Sequence, residues 1–342
     1  MDKKSISEQV FFDQLEDLHK RHVIPDKYYR IILQFYDCFK MAIEQARQPL
    51  ESVISTFLLF LKLVRDQFEH PYSFEPYHQK IRQPIDYYQF SLDFIRPLID
   101  FSRSTVQGLD VLDEIEHQRS CGENIVFLAN HQTETDPQAI AILLQKTHPR
   151  LAESMIYVAG ERVVTDPIAI PFSMGCDLLC VYSKRYIDHP PELKLEKQLH
   201  NKNTMELMCR LLQEGGKAIY VAPSGGRDRK NAEGRVEVAP FDPQSVEMFY
   251  LMAQKAKTPT HFYPLSLDTY DLLPPPDTIQ KELGEKRPAK YCPIHLLFAP
   301  EFDMERFEGF QEKDKRKRRE MRAYAIWNLV KNNFLTLRGV SS

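Results

Sequence analysis

The sequence predicts an α/β protein in two parts: a small N-terminal helical bundle over residues 1–76, and a larger α/β domain over residues 77–342 with a mixed, largely parallel sheet flanked by helices. Three observations predict it. The first 70 residues repeat their apolar positions at helical spacing, with no strand-like run among them. Beyond about residue 85, short β-rich runs alternate with segments long enough for helices, the pattern of a parallel sheet. The chain has 342 residues, 43% of them hydrophobic, 27% charged and only 12 glycine, so it buries a core and lacks linker-like tracts.

The elements follow in order. Tyr28, Ile32, Phe35, Phe39 and Ala42 make one apolar stripe, and Val53, Phe57, Leu61 and Val64 make another. Pro25 follows a first helix ahead of these two, and Pro49 separates them. The His70–Pro76 stretch reads as a linker. A further helix is expected from Ile85 to about Arg103, bent at Pro97. Strands are expected at Ile125–Leu128, Met155–Val158, Leu178–Tyr182, Ala218–Val221, His261–Tyr263 and Ile294–Phe298. Helices are expected at Pro137–Lys146, Pro191–Gln213 and Asp242–Lys255, and a C-terminal helix with Ile326, Leu329 and Val330 on one face. No internal repeat is visible.

Composition excludes several classes of function. A net charge of -3 gives no general pull toward nucleic acid. The start, Met1-Asp2-Lys3-Lys4, lacks the apolar core of a secretory signal, and the expected compartment is the reducing cytoplasm. The longest apolar run, Val53 to Val64, is interrupted by Lys62 and is too short to span a bilayer, so the protein reads as non-integral. Six cysteines are scattered, and Cys176 and Cys180 have neither a second pair nor spaced histidines to complete a metal site. No metal and no cofactor is expected.

The most informative segment is Ala129-Asn130-His131-Gln132-Thr133-Glu134-Thr135-Asp136-Pro137, which begins where a buried strand ends and stops where a helix begins. Ligands bind at that edge of a parallel sheet. On a regular helix His131 and Asp136 would diverge by about 140°, so they meet only if the intervening residues turn. Asp136-Pro137 has the form of an N-cap followed by proline at the first helical position, and Asp136 alone reads as such a cap. Taken together the two residues allow a base with its orienting carboxylate, and histidine suits the task with an unperturbed pKa of about 6.5.

A second segment, Ala222-Pro223-Ser224-Gly225-Gly226-Arg227-Asp228-Arg229, follows another strand. Paired glycines allow close backbone approach, and two guanidinium forks provide a cradle for phosphate; the bland alternative is a surface turn with solvated arginines. The Walker spacing and the dinucleotide fingerprint are absent. A third cluster, Ser183-Lys184-Arg185-Tyr186, also follows a strand, so all three have the opportunity to converge at one sheet edge. No Gly-x-Ser-x-Gly elbow supports a covalent serine mechanism.

The pattern Asn130-His131-x-x-x-x-Asp136 resembles the signature of the glycerolipid acyltransferase superfamily. The fuller strings Asn130–Glu134 and Ala222–Arg229 are similar to its soluble branch, the plastid-type and bacterial glycerol-3-phosphate 1-O-acyltransferases, which pair a helical N-terminal domain with an α/β domain. The resemblance implies transfer of an acyl group from an acyl-carrier-protein or coenzyme A thioester to the 1-hydroxyl of glycerol 3-phosphate, with no acyl-enzyme. It implies His131 and Asp136 as the catalytic pair and Arg227 and Arg229 as phosphate ligands. Where the branch has a Lys-His step, this chain has Arg185-Tyr186, so Arg185 and its neighbour Lys184 are the phosphate candidates there. Pro264 is similar to the superfamily's last block, where proline shapes the site wall. The implied setting is cytoplasmic, or the plastid stroma in a plant. The basic run Lys313–Arg319 reads as a solvated helix face or as a docking surface for an acidic carrier protein or anionic headgroups at a peripheral membrane contact. Two other functions fit the same residues: acylation of a lysophosphatidic acid, and non-catalytic binding of acylated carrier protein.

Overall fold

The computed structural model describes residues 6–183, 187–276 and 283–339. Helices α1 (Ile6–Lys20), α2 (Asp26–Gln45) and α3 (Glu51–Glu69) come first, and the apolar stripes of α2 and α3 turn inward as their spacing dictates. Strand β1 (Tyr77–His78) follows, so the stretch expected to be a linker leads directly into the sheet edge. Helix α4 (Tyr87–Ile95) is shorter than expected. Its last turn tightens into a 3-10 turn over Arg96–Leu98, because Pro97 brings no N–H and cannot continue the α-helical ladder.

The α/β part contains β2 (Thr105–Gln107), α5 (Leu109–Ser120), β3 (Asn124–Ala129), α6 (Asp136–Leu144), α7 (Pro149–Ser154), β4 (Met155–Gly160), α8 (Ile170–Ser173) and β5 (Asp177–Val181). Then come α9 (Lys194–Glu214), β6 (Ala218–Val221), β7 (Arg229–Lys230), β8 (Val236–Glu237), α10 (Pro243–Ala256), β9 (Thr260–Asp268), β10 (His295–Phe298) and α11 (Lys315–Leu337). Eight strands form one sheet in the order β1-β5-β4-β6-β3-β9-β10-β2, and β7 and β8 pair separately. The five central strands are mutually parallel, while β1 and β10 run antiparallel to their neighbours β5 and β9. This is the α/β architecture with a largely parallel sheet that the alternation predicts.

The register explains one element that the sequence understated. β9 continues through Pro264 to Asp268, whereas the β-rich run stops at Tyr263. Pairing between β9 and β10 extends only from Asp268 to Leu265, so Pro264 falls one residue past that ladder. At the C-terminus, α11 buries Arg322, Ala323, Ile326, Val330 and Phe334. Leu329 is 41% exposed, which corrects its expected place on the apolar face.

Helices α9, α10 and α11 contribute to the core on one side of the sheet. On the other side the bundle helices share one continuous core with α4–α7 and the inward residues of the strands. Phe94 is the joint: its ring lies 4.9–5.9 Å from Phe57, Phe60, Phe39 and Phe35 and from Phe90 and Phe172. Such offset and edge contacts add to the area buried. Phe94→Ala should cost about 3–5 kcal/mol of stability, read as a lower midpoint of urea unfolding, because the six surrounding rings cannot collapse together to fill the space.

Candidate active site

Parallel pairing puts the C-terminal ends of β3 and β6 side by side, and the loops that leave them meet. The backbone N–H of Asp228, in the loop after β6, donates to the carbonyl of His131, in the loop after β3, at 2.6 Å. Glycine-rich backbone at Gly225, with φ +62, lets the second loop turn at this point.

His131 Nδ1 lies 2.8 Å from Asp136 Oδ2. A carboxylate can only accept, so the proton of this bond sits on Nδ1, and Nε2 is left as the basic nitrogen. Asp136 is fully buried, whereas the imidazole is 29% exposed. The expectation of Asp136 as an N-cap needs correction. Asp136 is itself the first residue of α6, Thr135 holds the cap position, and the carboxylate turns back toward the loop. It accepts from the N–H groups of Gln132 at 2.8 Å and Thr133 at 3.2 Å, and from Thr269 Oγ1 at 2.6 Å. The carboxylate therefore closes the turn that the chain must make for His131 to reach it.

The loop is fastened below by side-chain amides. Asn130 Nδ2 donates to Asp228 Oδ2 and to the Leu267 carbonyl, and its Oδ1 accepts from Leu267 N–H. Gln132 Nε2 donates to Asp228 Oδ2, while Oε1 accepts from the N–H groups of Thr269 and Tyr270. Asp228 is fully buried, and burial pushes its carboxyl up to about 6 despite donors at Ala239, Asn130 and Gln132.

Arg227 points the other way, into a largely buried ion-pair network. Its Nη2 lies 2.6 Å from Glu285 Oε2 and its Nη1 3.5 Å from Glu134 Oε1. Arg162 also reaches Glu285, at 2.7 Å, and Arg287 bridges Glu134 at 3.0 Å and Asp166 at 2.9 Å. Burial alone would raise the Glu134 carboxyl, but the charges of Arg287 and Arg227 outweigh it and hold the group below its ordinary range. Arg229 donates instead to the Pro276 carbonyl, so the two arginines diverge toward different partners. Lys184, Arg185 and Tyr186 lie outside the described residues.

Glu134, Glu285, Asp166, Arg162 and Arg287 are absent from the candidates that the sequence suggests. Only Glu134 carries a local signal, being inside the motif; the others sit in loops whose approach depends on the sheet order.

His131, Glu134, Asp136 and Arg287 also line an open cavity of about 930 Å³, a volume that includes the solvent at its mouth. The rest of its wall is mostly apolar and includes Phe35 and Ile95 from the bundle side, Val163, Ile168 and Phe172. The cysteines are free thiols, with Cys176 and Cys180 buried and pushed up to about 12 by that burial. Among the described residues no group of three His, Cys, Asp or Glu is placed to hold a metal ion, and no helix is long and apolar enough to cross a membrane.

A half-exposed imidazole on a buried carboxylate at the edge of a parallel sheet, beside an apolar cavity, fits an acyl-transferring site, and the family model "Acyltransferase" matches residues 103–268. "Glycerol-3-phosphate acyltransferase ATS11, chloroplastic" of Cucurbita moschata is 38% identical over 308 residues, covering 89% of this chain and 69% of that protein. The chain belongs to this glycerol-3-phosphate acyltransferase family. The chloroplastic glycerol-3-phosphate acyltransferases of Spinacia oleracea and Arabidopsis thaliana are each 42% identical over 254 residues, 74% of this chain. Those matches span only about half of the relatives' own length, 54% and 55%. A solved 1-acyl-sn-glycerophosphate (LPA) acyltransferase, PlsC from Thermotoga maritima, aligns over 90% of this chain and 96% of its own at 16% identity with a TM-score of 0.41, too weak a likeness to decide topology or substrate.

The Asp228 environment fixes the sign of a pH effect. Folding raises this carboxyl from about 3.8 to about 6, so the folded chain holds the proton more tightly than the unfolded one. Ionised Asp228 therefore weakens the fold above pH 6, and that penalty is relieved as pH falls from 6 toward 4. At about 1.4 kcal/mol per pKa unit the relief approaches about 3 kcal/mol. Urea unfolding between pH 7 and 4 should show the parent gaining this stability relative to Asp228→Asn; a pH-independent difference would contradict it.

Proposed function

We propose that this chain transfers a fatty acyl group from a thioester donor to the 1-hydroxyl of glycerol 3-phosphate. The observation that carries the reading is the His131–Asp136 pair lining an apolar cavity, with Arg227 held beside it through Glu134. An acyl chain needs an apolar wall, and the acceptor hydroxyl needs a base at its mouth. The acceptor itself is suggested by the names of the relatives.

In this mechanism His131 Nε2 removes the hydroxyl proton as the oxygen attacks the thioester carbonyl. The tetrahedral adduct collapses by breaking the C–S bond, and the imidazolium returns the proton to the departing thiolate. Asp136 fixes the tautomer and stabilises the imidazolium. General-base help of this kind is worth about 10²- to 10⁴-fold, and the remainder comes from positioning the two substrates. Arg227, Arg229, Lys184 and Arg185 are the proposed phosphate ligands. Arg227 is paired with Glu134 and Glu285, so an incoming phosphate competes with Glu285 for it.

Purified protein incubated with palmitoyl thioester and glycerol 3-phosphate should yield 1-acylglycerol 3-phosphate by mass spectrometry. Product only with a lysophosphatidic acid acceptor would give the rival substrate, and thioester binding without product would give a non-catalytic carrier-protein binder. His131→Ala should lower turnover by at least about 100-fold while leaving acceptor binding intact. Arg227→Ala or Arg229→Ala should weaken acceptor binding by about tenfold in calorimetric titration, since a charge-assisted hydrogen bond is worth roughly 1.5–3 kcal/mol. Parent-like binding by both arginine variants would remove them from the phosphate site.

The donor surface is proposed at the start of α11. Lys315, Arg316, Lys317 and Arg319 are exposed; Arg316 pairs with Glu320 and Arg319 with Glu247, so the run is only partly neutralised. An acidic carrier protein complements it better than coenzyme A does. Reversing Lys313, Lys315 and Lys317 should slow use of a carrier-protein thioester more than a coenzyme A thioester, most strongly at low salt. Equal losses at every ionic strength would place donor docking elsewhere.

A further inference from the structure

Arg227 does not meet its carboxylates alone. Glu285 presents Oε2 to Arg227 Nη2 at 2.6 Å and Oε1 to Arg162 Nη1 at 2.7 Å. Glu134 presents Oε1 to Arg227 Nη1 at 3.5 Å and Oε2 to Arg287 Nε at 3.0 Å. Both of these carboxylates are therefore shared with a second guanidinium group. With Asp166 against Arg287 at 2.9 Å, the side chains of Arg162, Arg227 and Arg287 balance Glu134, Glu285 and Asp166 charge for charge.

Glu285 is buried, and its loop is tied down on both sides. Its own carbonyl accepts from Arg287 Nη1 at 2.8 Å, the Gly284 N–H donates to Asp166 Oδ2 at 3.0 Å, and Lys27 Nζ of the bundle donates to the Leu283 carbonyl at 2.6 Å. These bonds seat the carboxylate beside Arg227. Arg162 lies in the 3-10 turn Glu161–Val164 that leaves β4, and its side chain is 28% exposed. The Arg162–Glu285 contact is short, yet Glu285 Oε1 has no aligned hydrogen bond, so Arg162 brings charge to it rather than donor geometry.

We propose that Arg162 is a positioning residue of the acceptor site: it offsets the charge of Glu285 and so keeps Arg227 available to the phosphate, an inference that rests on the phosphate role given to Arg227 above. A dianion approaching Arg227 meets the repulsion of Glu285 together with the attraction of the guanidinium group. Without Arg162, Glu285 is balanced by Arg227 alone, in a low-dielectric setting where that ion pair tightens and an incoming anion is opposed. With Arg162 in place, Arg227 gives up less when it turns from the carboxylate to the phosphate.

Calorimetric titration of the full chain with glycerol 3-phosphate at low salt tests this. Arg162→Met should weaken binding about tenfold, the effect of one unbalanced charge in a partly screened site. Arg162→Lys keeps the charge and should bind much as the parent does, because the contact has no aligned fork to lose. Arg162→Met with Glu285→Gln removes both charges and should return the affinity toward the parent's. That recovery separates the proposal from its rivals: a residue that only props the fold loses further when its partner is also removed, and a direct phosphate ligand stays lost. Where thermal melting shows that Arg162→Met does not fold, Glu285→Gln alone decides: it should bind glycerol 3-phosphate more tightly than the parent. Folded Arg162→Met protein with parent-like affinity, a double variant no tighter than Arg162→Met, or a Glu285→Gln variant no tighter than the parent overturns the proposal while leaving acyl transfer standing. A parent that neither binds nor acylates glycerol 3-phosphate overturns the acceptor reading itself, and this inference with it.

Discussion

One buried carboxylate organises this site. Asp136 accepts from His131, from two backbone N–H groups of its own loop and from Thr269 on the neighbouring strand's exit. A carboxylate without solvent is tolerable only when its acceptor positions are met, and here meeting them requires the loop to turn, β9 to lie beside β3, and α6 to start where it does. Thr269 reaches Asp136 because the parallel register of β9 beside β3 brings the segment leaving β9 after Asp268 to the same edge as Ala129. The sheet order and the orientation of the imidazole are thus two consequences of one desolvation requirement.

A second layer of polar groups repeats the logic. Asp228 receives the Asn130 and Gln132 amides, whose remaining atoms bind backbone at Leu267, Thr269 and Tyr270. Arg227, Asp228 and Arg229 divide their tasks by alternation. Asp228 faces the buried amides, and the flanking arginines face Glu134 with Glu285 and the Pro276 carbonyl. The result is a polar floor of mutually hydrogen-bonded side chains under a cavity whose other wall is apolar.

The legible parts of the fold were those written in local periodicity. The stripes of α2 and α3 and the runs that became β3, β4, β5 and β6 each bury what their spacing says they bury. β2 and α5 left little trace, because β2 is short and polar, and α5 mixes charged residues into a weak apolar stripe. The meeting of His131 and Asp136 is a property of a single six-residue loop and could be anticipated as a turn, though not which backbone groups would fill Asp136. Arg287 and Glu285 arrive at Glu134 and Arg227 from more than 50 residues away, and nothing in their own neighbourhoods marks them. Long-range ion pairs record the tertiary fold and not the local sequence.

The N-terminal bundle has a place in this argument beyond stability. Its core is continuous with that of the α/β part, and Phe35 on α2 stands in the wall of the cavity that His131 lines. Phe172 joins the two, touching Phe60, Phe90 and Phe94 on one side and the cavity on the other. Close-packed aromatic rings transmit displacement because they have no free volume in which to absorb it. The bundle thus supplies part of the cavity wall, whereas the orientation of the His131 imidazole that also lines it is fixed by Asp136. Core substitutions can therefore remodel the apolar wall without disturbing the imidazole, since among the described residues no aromatic ring of the bundle shares a hydrogen bond with His131 or Asp136.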